Sequence, residues 1–218
     1  LLDGRDLLCI LPTGAGKSLC WQLPALMMDE LTVVISPLIV LMHDQVRHLR
    51  ERGIPSVHLD SLMTPAERAD ALNQLTRGQA KIAFLAPERL NHPEIHALCR
   101  QRPPAMVVVD EAHCVVQWGD AFRPSYQQIG QFVSSLPRRP VLCAMTATAD
   151  KQLQRGIVQS LGLRHPKRIV MPVERPNLYY SVLPTVHVTD AILRALQKIP
   201  GKAVVFCRLR ARTESLAE

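Results

Sequence analysis

The segment Thr13-Gly14-Ala15-Gly16-Lys17-Ser18 combines the residue types that bind phosphate groups. Its glycines allow a tight turn that points backbone N–H groups at phosphate oxygens, and a helix N-terminus after the turn adds partial positive charge. Lys17 would reach the β- and γ-phosphates of a nucleoside triphosphate, and the Ser18 hydroxyl would ligate Mg²⁺. The longer form of this loop has a glycine five residues before Gly16, where this chain has Leu11. The predicted phosphate-binding residues are Thr13, Gly14, Ala15, Gly16, Lys17 and Ser18.

A second candidate is the acidic pair that follows the apolar run Val107-Val108-Val109. A nucleoside triphosphatase needs a carboxylate for Mg²⁺ and a base that orients water, both at the end of a strand parallel to the first. Asp110 would hold Mg²⁺ through its water shell, and Glu111 would position the attacking water. His113 would face the other reaction partners. The predicted catalytic set is therefore Lys17, Asp110, Glu111 and His113, with Ser18 and Asp110 as the Mg²⁺ ligands.

These residues must be positioned by short apolar strands that alternate with helices along the chain. The predicted strands are 7–11, 32–36, 56–59, 81–85, 105–109, 141–145 and 168–171, and the helices between them include 18–29, 37–52, 65–77 and 150–161. Thr64-Pro65-Ala66-Glu67 has the pattern of a helix start, with an N-cap, a first-turn proline and an acidic residue. Continuous apolar strands flanked by helices indicate a doubly wound α/β fold with a parallel sheet covered on both faces.

A break in this pattern occurs at 171–177, where two prolines and charged neighbours predict a linker. After it the pattern restarts with a strand at 178–183, a helix at 189–198, a strand at 202–207 and a further helix. We therefore predict two domains, 1–173 and 174–218, of which the second is the beginning of another α/β unit.

The composition indicates a folded, basic protein without a membrane-spanning segment. Hydrophobic residues make up 47% of the 218 residues, enough to bury a core, and 26 Lys and Arg against 19 Asp and Glu give a net charge of +7. A basic balance suits a polyanionic partner. The six cysteines form no C-x-x-C pair, which favours reduced, buried thiols. No apolar run approaches the roughly 20 residues that span a bilayer, so no membrane association is expected.

His92, His96 and Cys99 fall at helical spacing and could in principle hold a metal ion. A solvated helix face is the favoured interpretation, because no fourth ligand accompanies them.

Several further segments, in this order, resemble the RecQ family of superfamily 2 DNA helicases. They are 18–26, 34–46, 84–90, 110–119, 122–124 and 142–149, and the resemblance covers essentially the whole chain. Its most specific part is the aromatic-rich segment just after Asp110–His113. The resemblance implies two RecA-like domains that use ATP and Mg²⁺ to translocate 3′-to-5′ on single-stranded DNA, with forked or partial-duplex DNA as substrates. Because the sequence shows no signal peptide, an intracellular location is expected: the cytoplasm (nucleoid-associated) in a bacterium, or the nucleus in a eukaryote.

The resemblance also implies which residues contact DNA or couple it to the nucleotide. Those implied are Ser36, Pro37, Pro87, Glu88, Arg89, Gln117, Trp118, Phe122, Arg123, Thr146 and Thr148. The loop role of Trp118, Phe122 and Arg123 also has a physical basis, together with Tyr126. Aromatic faces stack on unpaired bases, worth about 1–3 kcal/mol per base, and arginine adds phosphate or cation–π contacts. In a chain with 4% aromatic residues, this crowding fits a DNA-sensing loop and an ordinary core corner filled by Trp and Phe equally well, and the resemblance favours the loop.

Two departures from the family qualify this expectation. Relatives read Q-W-G-H-D-F-R-P, whereas this chain has Asp120 and Ala121 in place of the His and Asp, so weaker coupling of DNA binding to hydrolysis is expected. The element that reads adenine would precede Leu1, and the second domain would be incomplete at Glu218. Without an arginine finger from that domain, slow hydrolysis by the chain alone is expected.

Two other functions stay open at this point. An RNA helicase of the DEAD/DEAH group would share the phosphate loop and the acidic pair, although the aromatic segment and Trp21-Gln22-Leu23-Pro24-Ala25 argue against it. A catalytically silent ATP- and DNA-binding module would explain Asp120 and Ala121, although Lys17, Asp110 and Glu111 are present.

Overall fold

Seven short strands form one parallel sheet in the computed structural model, which describes residues 1–116, 124–172, 177–198 and 200–217. The strands are β1 (Leu7–Ile10), β2 (Thr32–Ile35), β3 (Ser56–Leu59), β4 (Ile82–Leu85), β5 (Met106–Val109), β6 (Val141–Thr146) and β7 (Lys167–Val170). Their order across the sheet is β3-β4-β2-β5-β6-β1-β7, and every neighbouring pair is parallel. The predicted strands of the first domain and the predicted α/β class with a parallel sheet are confirmed.

Strands β1 to β6 are almost entirely buried on both faces of the sheet, which explains why most of them are continuously apolar, whereas the edge strand β7 is exposed. Successive side chains of a strand point to opposite faces. Accordingly, Leu8 and Ile10 belong to one apolar cluster, whereas Leu7 and Cys9 belong to another. Each cluster is covered by helices, as the parallel arrangement requires.

The helices follow the strands in alternation. In the described part of the chain they are α1 (Leu19–Met27), α2 (Ile39–Glu51), α3 (Pro65–Thr76), α4 (Pro93–Gln101), α5 (Gln128–Ser135), α6 (Lys151–Leu161), α7 (Val188–Lys198) and α8 (Arg210–Ala217). The predicted start of α3 is confirmed as a capping box, in which the Glu67 N–H donates to Thr64 Oγ1 at 3.3 Å and the Thr64 N–H donates to Glu67 Oε2 at 2.8 Å. None of the described helices has the length and apolar composition needed to cross a bilayer.

The chain divides into two compact units, Leu1–Val173 and Glu174–Glu218. In the second unit the helices α7 and α8 form, but the predicted strands at 178–183 and 202–207 do not. A strand is held by ladder hydrogen bonds to a neighbour, and neither segment pairs with another described segment. Their apolar side chains, Tyr179, Val182 and Phe206 among them, are exposed. The prediction of those two strands is wrong.

Asp6, just before β1, fixes the end of the sheet where the strands begin. Its carboxylate accepts hydrogen bonds from Arg139 Nη1 at 3.1 Å and Nη2 at 2.6 Å, from the Leu142 N–H at 3.0 Å and from the Arg164 N–H at 2.6 Å. Burial alone would raise the pKa of Asp6, but these donors outweigh it and hold the pKa below its ordinary value of 3.8. One buried carboxylate thus joins the beginnings of β1 and β6 to the turn before β7.

Asp6→Asn is expected to lower the free energy of unfolding by about 3 kcal/mol at pH 7, because it leaves Arg139 without its buried partner. Since the folded pKa of Asp6 is lowered, its contribution is complete above 3.8 and is lost as the pH falls through the folded pKa. Urea unfolding at several pH values measures both effects. Asp3→Asn, at an exposed position, is the matched control. Equal stability of the two variants at pH 7 would contradict the role of Asp6.

The cysteines are all free thiols. Cys9, Cys99, Cys114 and Cys143 are buried, as predicted, whereas Cys20 and Cys207 are partly exposed. Burial raises the pKa of Cys99 to about 11 and is the main reason why the pKa of Cys9 is raised to about 12.

Candidate active site

Four adjacent strands bring the predicted catalytic segments to one edge of the sheet. In the order β2-β5-β6-β1, the residues that follow or end these strands are Ser36, Asp110, Thr146 and Leu11. Backbone hydrogen bonds continue across this edge, from the Asp110 N–H to the Ile35 oxygen at 2.9 Å and from the Leu11 N–H to the Thr146 oxygen at 3.1 Å. In open α/β sheets, ligands bind at the carboxyl ends of the strands.

The phosphate loop has the backbone that its glycines were predicted to provide. Gly14 and Gly16 have φ angles of 83° and 79°, a region that side-chain-bearing residues rarely adopt. No described residue accepts a hydrogen bond from the N–H groups of Gly14, Gly16 or Lys17. Lys17 Nζ donates to the Leu11 oxygen at 3.1 Å, and Ser18 is the N-cap of α1. The loop therefore presents backbone donors, an ammonium group and a hydroxyl at the start of a helix.

Asp110 is held by several donors directly after β5. Its carboxylate accepts from the Ser36 hydroxyl at 3.3 Å and from the Glu111 N–H at 3.0 Å, and its carbonyl oxygen accepts from the Tyr126 hydroxyl at 3.0 Å. Burial nevertheless raises the pKa of Asp110, against the opposing effects of these donors and of Lys17. A desolvated carboxylate of this kind is suited to pairing with a cation.

Glu111 has a φ angle of 46°, in the left-handed region that is uncommon for a residue with a side chain. Such conformations are concentrated at functional sites. His113 Nδ1 lies 3.3 Å from Glu111 Oε2. Burial, and then the charge of Asp110, raise the pKa of Glu111. A carboxylate whose pKa is moved towards neutrality is a better base.

His113 also joins the acidic segment to β6. Its Nδ1 lies 3.0 Å from Thr146 Oγ1, and the Thr146 hydroxyl donates to the Thr148 oxygen at 3.2 Å. Because that donation uses the hydroxyl proton, Thr146 accepts a hydrogen bond from His113 Nδ1–H. A chain of three hydrogen-bonding residues therefore runs from the acidic pair into the segment after β6.

The other residues implied in DNA contact have mixed accessibility. Ser36 is 3% exposed, with its hydroxyl on Asp110, and Pro87 is buried. Arg89 is 5% exposed and its guanidinium contacts Glu94. Pro37 is half-buried, and Glu88 and Thr148 are exposed. The DNA roles of all these residues stay predictions.

The predicted DNA-sensing segment lies outside the described residues. It comprises Gln117, Trp118, Phe122 and Arg123, together with the departures Asp120 and Ala121. Tyr126 is described, and its grouping with the base-stacking aromatics is wrong. It is 0% exposed in the core, with its hydroxyl on the Asp110 carbonyl, so no ring face is open to a base.

His92, His96 and Cys99, whose spacing could suit a metal ion, make other contacts in the structure. His92 accepts a contact from Arg89 Nη1 at 3.3 Å, His96 packs edge-on against Phe132, and Cys99 is buried. Among the described residues, the group that does converge is His43, His58 and Asp60. Sequence reasoning missed it because His43 belongs to α2 and the other two to the end of β3. The i, i+2 spacing of His58 and Asp60 in a strand was the available signal.

Comparison with known proteins shows the family to which the chain belongs. The chain belongs to the DEAD/DEAH box helicase family, whose sequence model matches residues 1–155. A solved structure titled as a hypothetical ATP-dependent RNA helicase from Sulfolobus tokodaii is similar with a TM-score of 0.63, covering 99% of this chain and 63% of that one. At 19% identity, this likeness shows the fold alone.

Within this family, the chain is similar to curated DNA helicases named RecQ. The ATP-dependent DNA helicase RecQ of Haemophilus influenzae is 38% identical over 218 residues, which is 100% of this chain and 35% of that protein. RecQ of Synechocystis is 45% identical over 187 residues, or 84% of this chain and 39% of that protein. The resemblance to RecQ helicases is confirmed. The chain spans little more than a third of the length of these relatives.

Proposed function

We propose that this chain is the ATP-binding motor domain of a RecQ-type DNA helicase, in which hydrolysis of ATP drives movement along single-stranded DNA. The observation that carries this proposal is the meeting of the phosphate loop, the Asp110–Glu111 pair and the His113–Thr146 hydrogen bond at one edge of the sheet. Similarity to RecQ helicases supports DNA as the polymer.

The triphosphate would be held by the loop 13–18. Backbone N–H groups of Gly14 and Gly16 are oriented by the turn, and Lys17 would exchange its hydrogen bond to the Leu11 oxygen for phosphate oxygens. The positive end of α1 adds to this attraction. These groups match the negative charge of a triphosphate, whose position they would fix.

Ser18 and Asp110 would hold Mg²⁺. The donor set fits this ion, because magnesium prefers oxygen ligands and is usually bound through few protein groups. Bound Mg²⁺ supplies charge neutralisation at the phosphates. Asp110 is kept in place by Ser36 and by the Glu111 N–H, so its orientation does not depend on the ion.

Glu111 would accept a hydrogen bond from the attacking water and orient it. The positive φ angle of Glu111 ends the extended conformation of β5, and the Glu111 carboxylate lies close to His113. His113 and Thr146 would transmit the state of this site to the segment around Thr148, where DNA contact is proposed. The coupling is thus assigned to this path of hydrogen bonds.

The DNA side of the motor is assigned to the loops that follow β2, β4, β5 and β6. Pro37, Glu88 and Thr148 have accessible surface there, and the segment 117–123 follows the acidic pair directly. Single-stranded DNA is the proposed track, with forked or partial-duplex DNA as the substrate of the whole protein. A protein with this function would act where DNA is found, in the bacterial cytoplasm or in the eukaryotic nucleus.

The test is steady-state ATP hydrolysis by the protein extended through its second RecA-like domain, because slow hydrolysis is expected of the chain alone. The rate is measured with single-stranded DNA, with single-stranded RNA of the same sequence and with neither. We expect DNA to raise the rate at least about tenfold, which corresponds to about 1.4 kcal/mol of activation free energy, and RNA to leave it unchanged. Stimulation by RNA alone would replace this proposal by an RNA helicase. ATP binding without turnover in all three conditions would replace it by a silent binding module.

A further inference from the structure

Two histidines converge on one buried carboxylate on the flank of the sheet away from the phosphate loop. His43 is on α2, His58 is in β3, and Asp60 follows that strand. Asp60 Oδ2 lies 2.9 Å from His43 Nε2 and 2.9 Å from His58 Nδ1, and the Asp60 side chain is 0% exposed. One oxygen atom thus faces two imidazole nitrogens from different elements.

The spacing of these atoms is close to that of a metal centre. Ligand atoms about 2.0–2.1 Å from a tetrahedral Zn²⁺ are about 3.3 Å apart. The three candidate ligand atoms all lie within 4.8 Å of one another. The two contacts of 2.9 Å would therefore open by a few tenths of an ångström. His43 can follow, because its side chain is 44% exposed.

Hydrogen bonding orders this group. Both imidazole nitrogens face Asp60 Oδ2, and a metal ion would displace the N–H protons that the two rings direct at this oxygen. The 2.8 Å bond from the Leu62 N–H to Asp60 Oδ1 also orients the carboxylate and leaves Oδ2 for the rings.

The group opens on a cavity of about 420 Å³, which is also lined by Arg50, Glu67, Asp70 and Gln74. That space accommodates a water molecule as a fourth ligand. Arg50, the one arginine of this lining, is held in place by the 2.8 Å bond from its Nε to the Ser56 oxygen. The residues thus offer three ligands and an accessible fourth position.

We propose that His43, His58 and Asp60 form a binding site for a divalent first-row transition metal ion, with Zn²⁺ as the physiological occupant. Two imidazole nitrogens and one carboxylate suit zinc and its neighbours, whereas Mg²⁺ prefers oxygen ligands. The site is distinct from the nucleotide site, since β4 and β2 separate β3 from β5 in the sheet. A bound ion would fasten α2 to β3.

The test is titration with Co²⁺, a spectroscopic substitute for Zn²⁺, in buffer containing excess Mg²⁺ so that the nucleotide site does not bind the probe. We expect visible d–d absorption that saturates at one Co²⁺ per chain and is abolished by Zn²⁺.

His43→Gln is expected to weaken Co²⁺ binding at least about 100-fold. Loss of a metal ligand should reduce the affinity at least as much as loss of a residue that hydrogen-bonds to a ligand. His48→Gln, the same change at an exposed position of α2, should bind as the unaltered chain does.

Three results would overturn the proposal. One is the absence of d–d absorption, which would make the group a hydrogen-bonded cluster only. Another is equal binding by the His43→Gln and His48→Gln variants. The third is a thiolate-to-cobalt charge-transfer band, which would place the ion on Cys20 or Cys207. His58→Gln serves as a second variant, so that the outcome does not depend on the folding of one protein.

Discussion

Lys17→Ala is expected to reduce kcat/KM for ATP hydrolysis by about 10²–10³-fold, the cost of removing one preorganised group that stabilises developing charge. The ammonium group is the one cation of the loop 13–18, and it lies close enough to the acidic pair to lower the pKa values of Asp110 and Glu111. Its loss therefore weakens phosphate binding and also leaves both carboxyl groups with higher pKa values. Binding of a fluorescent ATP analogue and steady-state turnover measure the two consequences separately.

Lys151→Ala, at an exposed position of α6, is the matched control for this change and should leave both quantities unaltered. The melting temperature of Lys17→Ala should stay close to that of the unaltered chain, because Lys17 is only half-buried and bonds a loop carbonyl. Undiminished turnover by Lys17→Ala would show that the loop 13–18 is not part of the active site.

Glu111→Gln is expected to lower kcat by about 10²–10⁴-fold while ATP binding persists, because the amide has the shape of the carboxylate but cannot act as a base. The raised pKa of Glu111 implies that turnover of the unaltered chain falls as the pH drops through a value above the ordinary 4.5. The variant should lack that acid limb. A pH profile of kcat at saturating ATP is the measurement.

The stability of this variant distinguishes catalysis from folding. A carboxyl group whose folded pKa is raised favours folding below its unfolded pKa, and that contribution is lost as the pH rises through the folded value. Glu111→Gln should therefore be at least as stable as the unaltered chain at pH 7. Glu51→Gln, on the exposed end of α2, is the control and should keep full activity. A retained acid limb in Glu111→Gln would assign the base to another residue.

The sheet was predictable because most of its strands are apolar segments bounded by helix signals. Seven predicted segments, including Thr32–Ile35 and Met106–Val109, are strands within a few residues of the predicted limits. The order of the strands was not predictable from periodicity, because side-chain pattern does not identify neighbours. The same pattern at 178–183 and 202–207 failed, because an apolar segment becomes a strand only when another strand supplies its hydrogen bonds.

The candidate site was predictable in its motifs but not in its connections. Gly14, Lys17 and Asp110 follow strands at the positions their chemistry requires. The bonds from Ser36 to Asp110 and from His113 to Thr146 join residues separated by 74 and 33 positions, so only the fold brings them together. The convergence of His43 on Asp60 has the same origin.

The pattern of thiol burial gives this chain a pair of intrinsic attachment points for fluorescent dyes. Four cysteines are shielded in the core, and the raised pKa values of Cys9 and Cys99 slow their reaction with maleimides further. The two partly exposed thiols are divided between the compact units, with Cys20 in the first and Cys207 in the second. Dyes on these natural residues would therefore mark one position in each compact unit without a single engineered substitution.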